Sequence, residues 1–166
     1  MKTRIIALAA LSALWGQPLQ AAEVTISGKI TATPCTVDAS LNQTLDLGKL
    51  QRRDLLQAGT GSEWKAFSLT LSSCPPSTSR VTATFTGTPA PDDSKAFASS
   101  GTATGVALQL SNADSSLTLA NNASLTVDID NARKAAFPLT ARIYSPKGQS
   151  SAGTFISVVQ VNLSYQ

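Results

Sequence analysis

Residues 153–165 read GTFISVVQVNLSY. Phe155, Val159, Val161, Leu163 and Tyr165 fall in step with Gly153 on alternate positions, so an extended chain presents them all on one face. Ser157 is the small polar exception on that face, which predicts one shallow or polar position at mid-strand. A strand this apolar must have its side chains and its backbone edges covered. It is also the last strand of the chain, so the expectation is that the cover comes from elsewhere.

The same period of two runs back through the sequence. It recurs at Leu45 and Leu47, at Phe67, Leu69 and Leu71, and at Val81, Ala83 and Phe85. It returns at Val106, Leu108 and Leu110, at Leu125, Val127 and Ile129, and at Phe137, Leu139, Ala141 and Ile143. Clusters such as Pro75-Pro76-Ser77, Asn112-Ala113-Asp114, Asn121-Asn122 and Pro146-Lys147-Gly148 separate these runs and supply turns. Only Arg52–Ala58 reads as helical, for one or two turns. Many short strands joined by turns predict an all-β antiparallel sandwich.

The first residues look like an export signal. Lys2 and Arg4 precede an apolar run from Ile5 to Trp15, which is too short to span a bilayer, and small residues follow at Ala21 and Ala22. Cleavage is expected after Ala21, with Ala22 as the alternative. Removing 21 of 166 residues leaves 145, and the basic count falls from 13 to 11 against 10 acidic residues. The mature net charge is then +1, too small to argue for nucleic acid. An exported chain meets an oxidising compartment, so Cys35 and Cys74 are expected to pair.

The chain has no histidine. That removes the usual general base, the usual zinc ligand and every Ser-His-Asp arrangement. Asp92-Asp93 and the Asp128/Asp130 pair read as solvated charges rather than as a glycosidase pair. No phosphate-binding glycine loop follows a strand. Arg52-Arg53 reads as solvated surface, and Trp64 as core rather than as a sugar-stacking platform. No enzymatic activity, cofactor or metal site is expected.

The N-terminal segment carries a matching alternation. Val24, Ile26, Gly28 and Ile30 alternate with Thr25, Ser27, Lys29 and Thr31, ahead of Pro34 and Cys35. A strand lying outside the disulfide-tied core is free to pair with another molecule. Burying Val24, Ile26 and Ile30 would contribute roughly 1.5–3 kcal/mol each, against a whole-domain stability of about 5–15 kcal/mol.

These ends resemble those of chaperone–usher pilus subunits, most closely the minor tip adaptors of type 1 fimbriae. The resemblance rests on Gly153 at the fourteenth position from the end, the alternating apolar residues and the penultimate Tyr165. It extends to Leu69-Thr70-Leu71-Ser72-Ser73-Cys74-Pro75 with Ser79-Arg80-Val81-Thr82-Ala83, to Gly28-Lys29 ahead of Pro34-Cys35, and to Leu45-Asp46-Leu47-Gly48. It covers the whole mature chain.

The resemblance implies an incomplete immunoglobulin-like antiparallel β-sandwich lacking its C-terminal strand, completed in trans by a donor strand. Residues 1–21 are then a signal peptide, 22–34 a donor-strand extension and 35–166 the pilin domain. Gly153, Phe155, Val159, Val161, Leu163 and Tyr165 line the groove that a chaperone and then a donor occupy. Val24, Ile26, Gly28 and Ile30 form the donor strand, with Gly28 either opposite a bulky groove residue or at a bend. The implied partners are a periplasmic pilus chaperone, an outer-membrane usher and neighbouring pilus subunits, with no nucleic acid and no small-molecule substrate. The implied route is export to the periplasm and then to a fimbrium on the cell surface. The implied role is a structural subunit assembled by donor-strand exchange, a tip adaptor first. A major rod pilin or a single-domain receptor-binding adhesin is the alternative.

Overall fold

Alternating apolar residues with few aromatics and abundant threonine suit half-buried strands, and strands are what form. A computed structural model describes residues 34–38 and 43–166. In chain order the strands are β1 (Thr36–Val37), β2 (Thr60–Gly61), β3 (Lys65–Ser72), β4 (Arg80–Thr86), β5 (Pro89–Ala90), β6 (Asp93–Ala98), β7 (Ala107–Asn112), β8 (Ser124–Asp128), β9 (Ala135–Ser145) and β10 (Gln160–Tyr165).

Two sheets result, and every pairing is antiparallel. The larger runs β1-β3-β9-β7-β6-β5, with β2 added on β9, and the smaller runs β10-β4-β8. Between them lies a core in which Leu71, Val81, Phe85, Phe97, Leu119 and Phe137 are wholly buried. The disulfide Cys35–Cys74 is buried in the same core and closes a loop with a sequence separation of 39. It ties the start of β1 to the end of β3, whose registers meet at Thr36↔Ser72 and Val37↔Leu71.

The smaller sheet is laced on its outer face. Thr82 pairs with Thr126, and Thr84 with Ser124, each through hydroxyls 2.8 Å apart. Arg80 Nε donates to Asp128 Oδ1 at 3.0 Å. Pro138 stands inside the longest strand because the β7 ladder on β9 ends at Leu139, so the missing N–H falls beyond that pairing.

Several sequence expectations need correction. Leu45 and Leu47 do pack half-buried against the core, but their segment forms no strand. Asp46 Oδ1 accepts the Gly48 N–H at 2.8 Å, which closes a local turn in place of a ladder. The helical expectation for Arg52–Ala58 shrinks to one 3-10 turn, Arg52–Leu55, anchored by buried Leu55. The long terminal run pairs as a β-ladder only over Gln160–Tyr165. Trp64 is half-buried outside the core clusters, with the Arg142 guanidinium 4.5 Å from its ring centre. Trp64 falls out of step with Phe67, Leu69 and Leu71, which pack in or against the core, so alternation turns the indole to the other face, beside Arg142.

The charges read as solvated do lie at the surface. Asp92 pairs with Lys147 at 2.6 Å, and Arg53 lies 3.8 Å from Asp54. Arg52 does more, donating from Nε to the Ser150 carbonyl at 2.7 Å.

Candidate functional site: an open strand edge

The terminal stretch is held along one side over residues 151–156 and again over residues 160–166. Its first half lies against residues 99–104. The Ser100 and Ala103 N–H groups donate to the carbonyls of Ile156 (2.7 Å) and Thr154 (3.0 Å). The Thr154 N–H donates to Thr102 Oγ1 at 2.9 Å, and the Thr102 N–H returns to Thr154 Oγ1 at 3.0 Å. Its second half, β10, pairs with β4 from Gln160↔Thr86 to Tyr165↔Val81. Beyond the strand, Gln166 and Arg80 exchange N–H···O bonds of 3.0 Å each.

These bonds determine which way the backbone points. Thr154, Ile156 and Gln166 turn their backbone groups toward the occupied side. By strand alternation, residues 155, 157, 159, 161, 163 and 165 turn theirs the opposite way. Among the described residues nothing pairs with that second edge.

The side chains of those same odd-numbered residues face between the sheets. Val159, Leu163 and Tyr165 touch the core but stay half-buried, and Phe155 is half-buried without being part of that cluster. Val161 is 39% exposed. Their register partners on β4 differ sharply. Val81 (opposite Tyr165), Ala83 (opposite Leu163) and Phe85 (opposite Val161) are at most 1% exposed. The two strands share a face and a register, so the difference lies in what flanks them. Among the described residues β4 has a strand on each side, whereas β10 has one on one side only.

The exposed apolar surface concentrates here. Of the five large hydrophobic residues exposed in the described part, Ile156, Val158 and Val161 lie in this stretch, and of these Val161 is on the inward face while Ile156 and Val158 fall on the opposite one. Tyr165 is its one titratable side chain, and burial pushes the phenol above its usual value. The site therefore offers a line of backbone donors and acceptors above a shallow apolar trough. That arrangement binds an extended chain.

Of the residues expected to form the site, Val161, Leu163 and Tyr165 share one face of β10, and Phe155 and Val159 continue the same alternation in the extended stretch before it. Gly153 is exposed at the start of the stretch, against Thr102 and Ala103. Val24, Ile26, Gly28 and Ile30 lie outside the described residues. The sequence reading missed residues 99–104, whose Ser-Ser-Gly-Thr-Ala-Thr composition signals only a loop. Their pairing with residues 151–156 depends on contacts about 50 positions apart in the chain.

Comparison with known proteins agrees with this geometry. The family model described as "Fimbrial protein" matches residues 24–166. Protein FimG of Escherichia coli K12 is 41% identical over 161 residues, which is 95% of this chain and 94% of that one. The S-fimbrial adhesin protein SfaS of Escherichia coli O6:K15:H31 is 33% identical over 143 residues, 86% of this chain and 83% of that one. Among solved structures, a chaperone–usher pilus studied for its rod uncoiling superposes with a TM-score of 0.67 at 21% identity. It covers 91% of this chain and 99% of its own.

Proposed function

The chain belongs to the fimbrial protein family, and from that premise we propose that it is a minor tip adaptor, assembled by donor-strand exchange through the open edge of β10. The observation that carries this reading is the contrast between β4, whose inward residues are fully buried, and β10, whose inward residues in the same register are not. An incoming strand would bond to the free backbone of residues 155–165 and cover Phe155, Val159, Val161, Leu163 and Tyr165 in one step. Nothing in this arrangement asks for a catalytic group, and no enzymatic role is proposed.

Before assembly the same edge needs a temporary occupant, which is the part of a periplasmic chaperone. Handover at an outer-membrane usher would follow, with the finished fibre on the cell surface. Residues 1–21 serve as the export signal and residues 22–34, with Val24, Ile26, Gly28 and Ile30, as the strand lent to the next subunit.

The test is thermal unfolding of residues 35–166 with and without a peptide of residues 22–33. A large rise in Tm with peptide supports strand acceptance, whereas a stable domain indifferent to peptide sinks it. Counting copies in purified fimbriae separates an adaptor, present a few times per fibre, from a rod pilin. Retained receptor binding by the isolated, strand-filled subunit would instead favour the adhesin alternative.

A further inference from the structure

The groove carries one polar atom that nothing satisfies. Ser157 Oγ is buried without a hydrogen-bond partner among the described residues. It stands midway along the open terminal stretch, in step with Phe155 and Val159. A buried hydroxyl left unpaired is costly, and native structures rarely retain one without a use.

A strand added beside residue 157 would place its directly opposed side chain on the same face, with Cβ atoms about 4.5–5.5 Å apart. The chain already shows what hydroxyls do at that separation. Thr82 and Thr126 are directly opposed and bonded at 2.8 Å, and so are Thr84 and Ser124. Ser157 Oγ is already closed off from solvent, so a hydroxyl or amide on the incoming strand would reach it once the Ser157 side chain turns toward the added strand, and an aliphatic side chain would leave it unpaired as it is now.

We infer that Ser157 is a specificity-determining residue of the groove, selecting a donor strand that carries a hydroxyl or amide at the one inward position opposite it. The inference rests on the strand-acceptor reading and adds the chemistry of the guest. It also bears on self-assembly. The inward set of this chain's own extension is Val24, Ile26, Gly28 and Ile30, which has no polar side chain at any position. Its own copies are thus the poorer guests, and the groove is matched to a different subunit, as an adaptor requires.

The experiment uses the mature chain, residues 22–166, as wild type and as Ser157→Ala. Alanine removes the unpaired hydroxyl while keeping the strand, so it should fold. The probes are the peptide of residues 22–33 and four variants of it, Val24→Ser, Ile26→Ser, Gly28→Ser and Ile30→Ser. Affinities are read by displacement of labelled parent peptide. One serine peptide should bind wild type about tenfold more tightly than it binds Ser157→Ala, with the others within about threefold. The parent peptide should bind Ser157→Ala at least as well as wild type. Equal wild-type-to-alanine ratios for all five peptides would overturn the inference and leave strand acceptance standing. Failure of every peptide, the parent included, to bind wild type would overturn strand acceptance and this inference with it.

Discussion

Gly153 and Thr102 approach so closely that a β-carbon on Gly153 would stand 2.7 Å from Thr102 Oγ1, closer than real Cβ contacts come. Gly101 is placed likewise, since its β-carbon would overlap the Thr154 carbonyl group. Two glycines thus let residues 99–104 lie flat against the start of the terminal stretch, and that contact occupies one edge, leaving the other unpaired among the described residues.

Gly153→Ala should therefore push the two segments apart. The expected loss is about 1–3 kcal/mol, as for other overpacked sites. Urea denaturation of the variant measures it, and an unchanged midpoint would show that the close approach is dispensable.

Val161 and its register partner Phe85 should respond in opposite ways. Val161→Ser should cost the isolated subunit less than about 1 kcal/mol, since the side chain is 39% exposed, yet weaken a donor peptide by roughly tenfold. Phe85→Ala, at a wholly buried site, should cost about 3–5 kcal/mol of stability. Denaturation and peptide titration together separate a groove residue from a core residue.

Replacing Cys35 and Cys74 together by serine should destabilise the subunit by roughly 2–5 kcal/mol, because the bridge closes a long loop in the unfolded chain. Chemical denaturation without reductant gives the difference. A change below about 1 kcal/mol would show that the unfolded chain is already constrained there.

Burial raises the Tyr165 phenol above its ordinary value of 10.0. Its contribution to stability is complete below about pH 10 and declines as pH climbs through the folded-state value. Wild type should therefore lose stability in strong alkali faster than Tyr165→Phe does. Parallel pH titrations of the denaturation midpoint would show this, and superimposable curves would refute it.

Arg142 lies over Trp64 at 4.5 Å from the ring centre and donates from Nε to Gln109 Oε1 at 2.8 Å. A double-mutant cycle with Trp64→Leu and Arg142→Gln should give a coupling of about 0.5–1 kcal/mol. Additive losses would mean that the stack is only proximity.

The sandwich was legible in the sequence because strand alternation is a local property. Val81, Ala83 and Phe85 read as inward on pattern alone, and so did Phe137, Leu139, Ala141 and Ile143, all of them buried. Compartment and composition likewise paired Cys35 with Cys74. The pattern misled where it could not see a partner. Leu45 and Leu47 alternate correctly but pair with no strand, because Asp46 turns the chain locally. Trp64 reads as core by its apolarity, although its even position, out of step with Phe67, Leu69 and Leu71, puts it on the other face.

The candidate site divides along the same line. By itself the sequence determined which residues of 153–165 share a face, that one of them is a serine, and that the face is too apolar to stand uncovered, since alternation and hydropathy need no neighbours. Only the tertiary structure decided, among the described residues, which edge is occupied and which is open, that Val161 is exposed while Phe85 opposite it is buried, and that the Ser157 hydroxyl has no partner. The reason is physical: burial and hydrogen-bond satisfaction are properties of what packs beside a strand, and those neighbours come from segments far away in the chain.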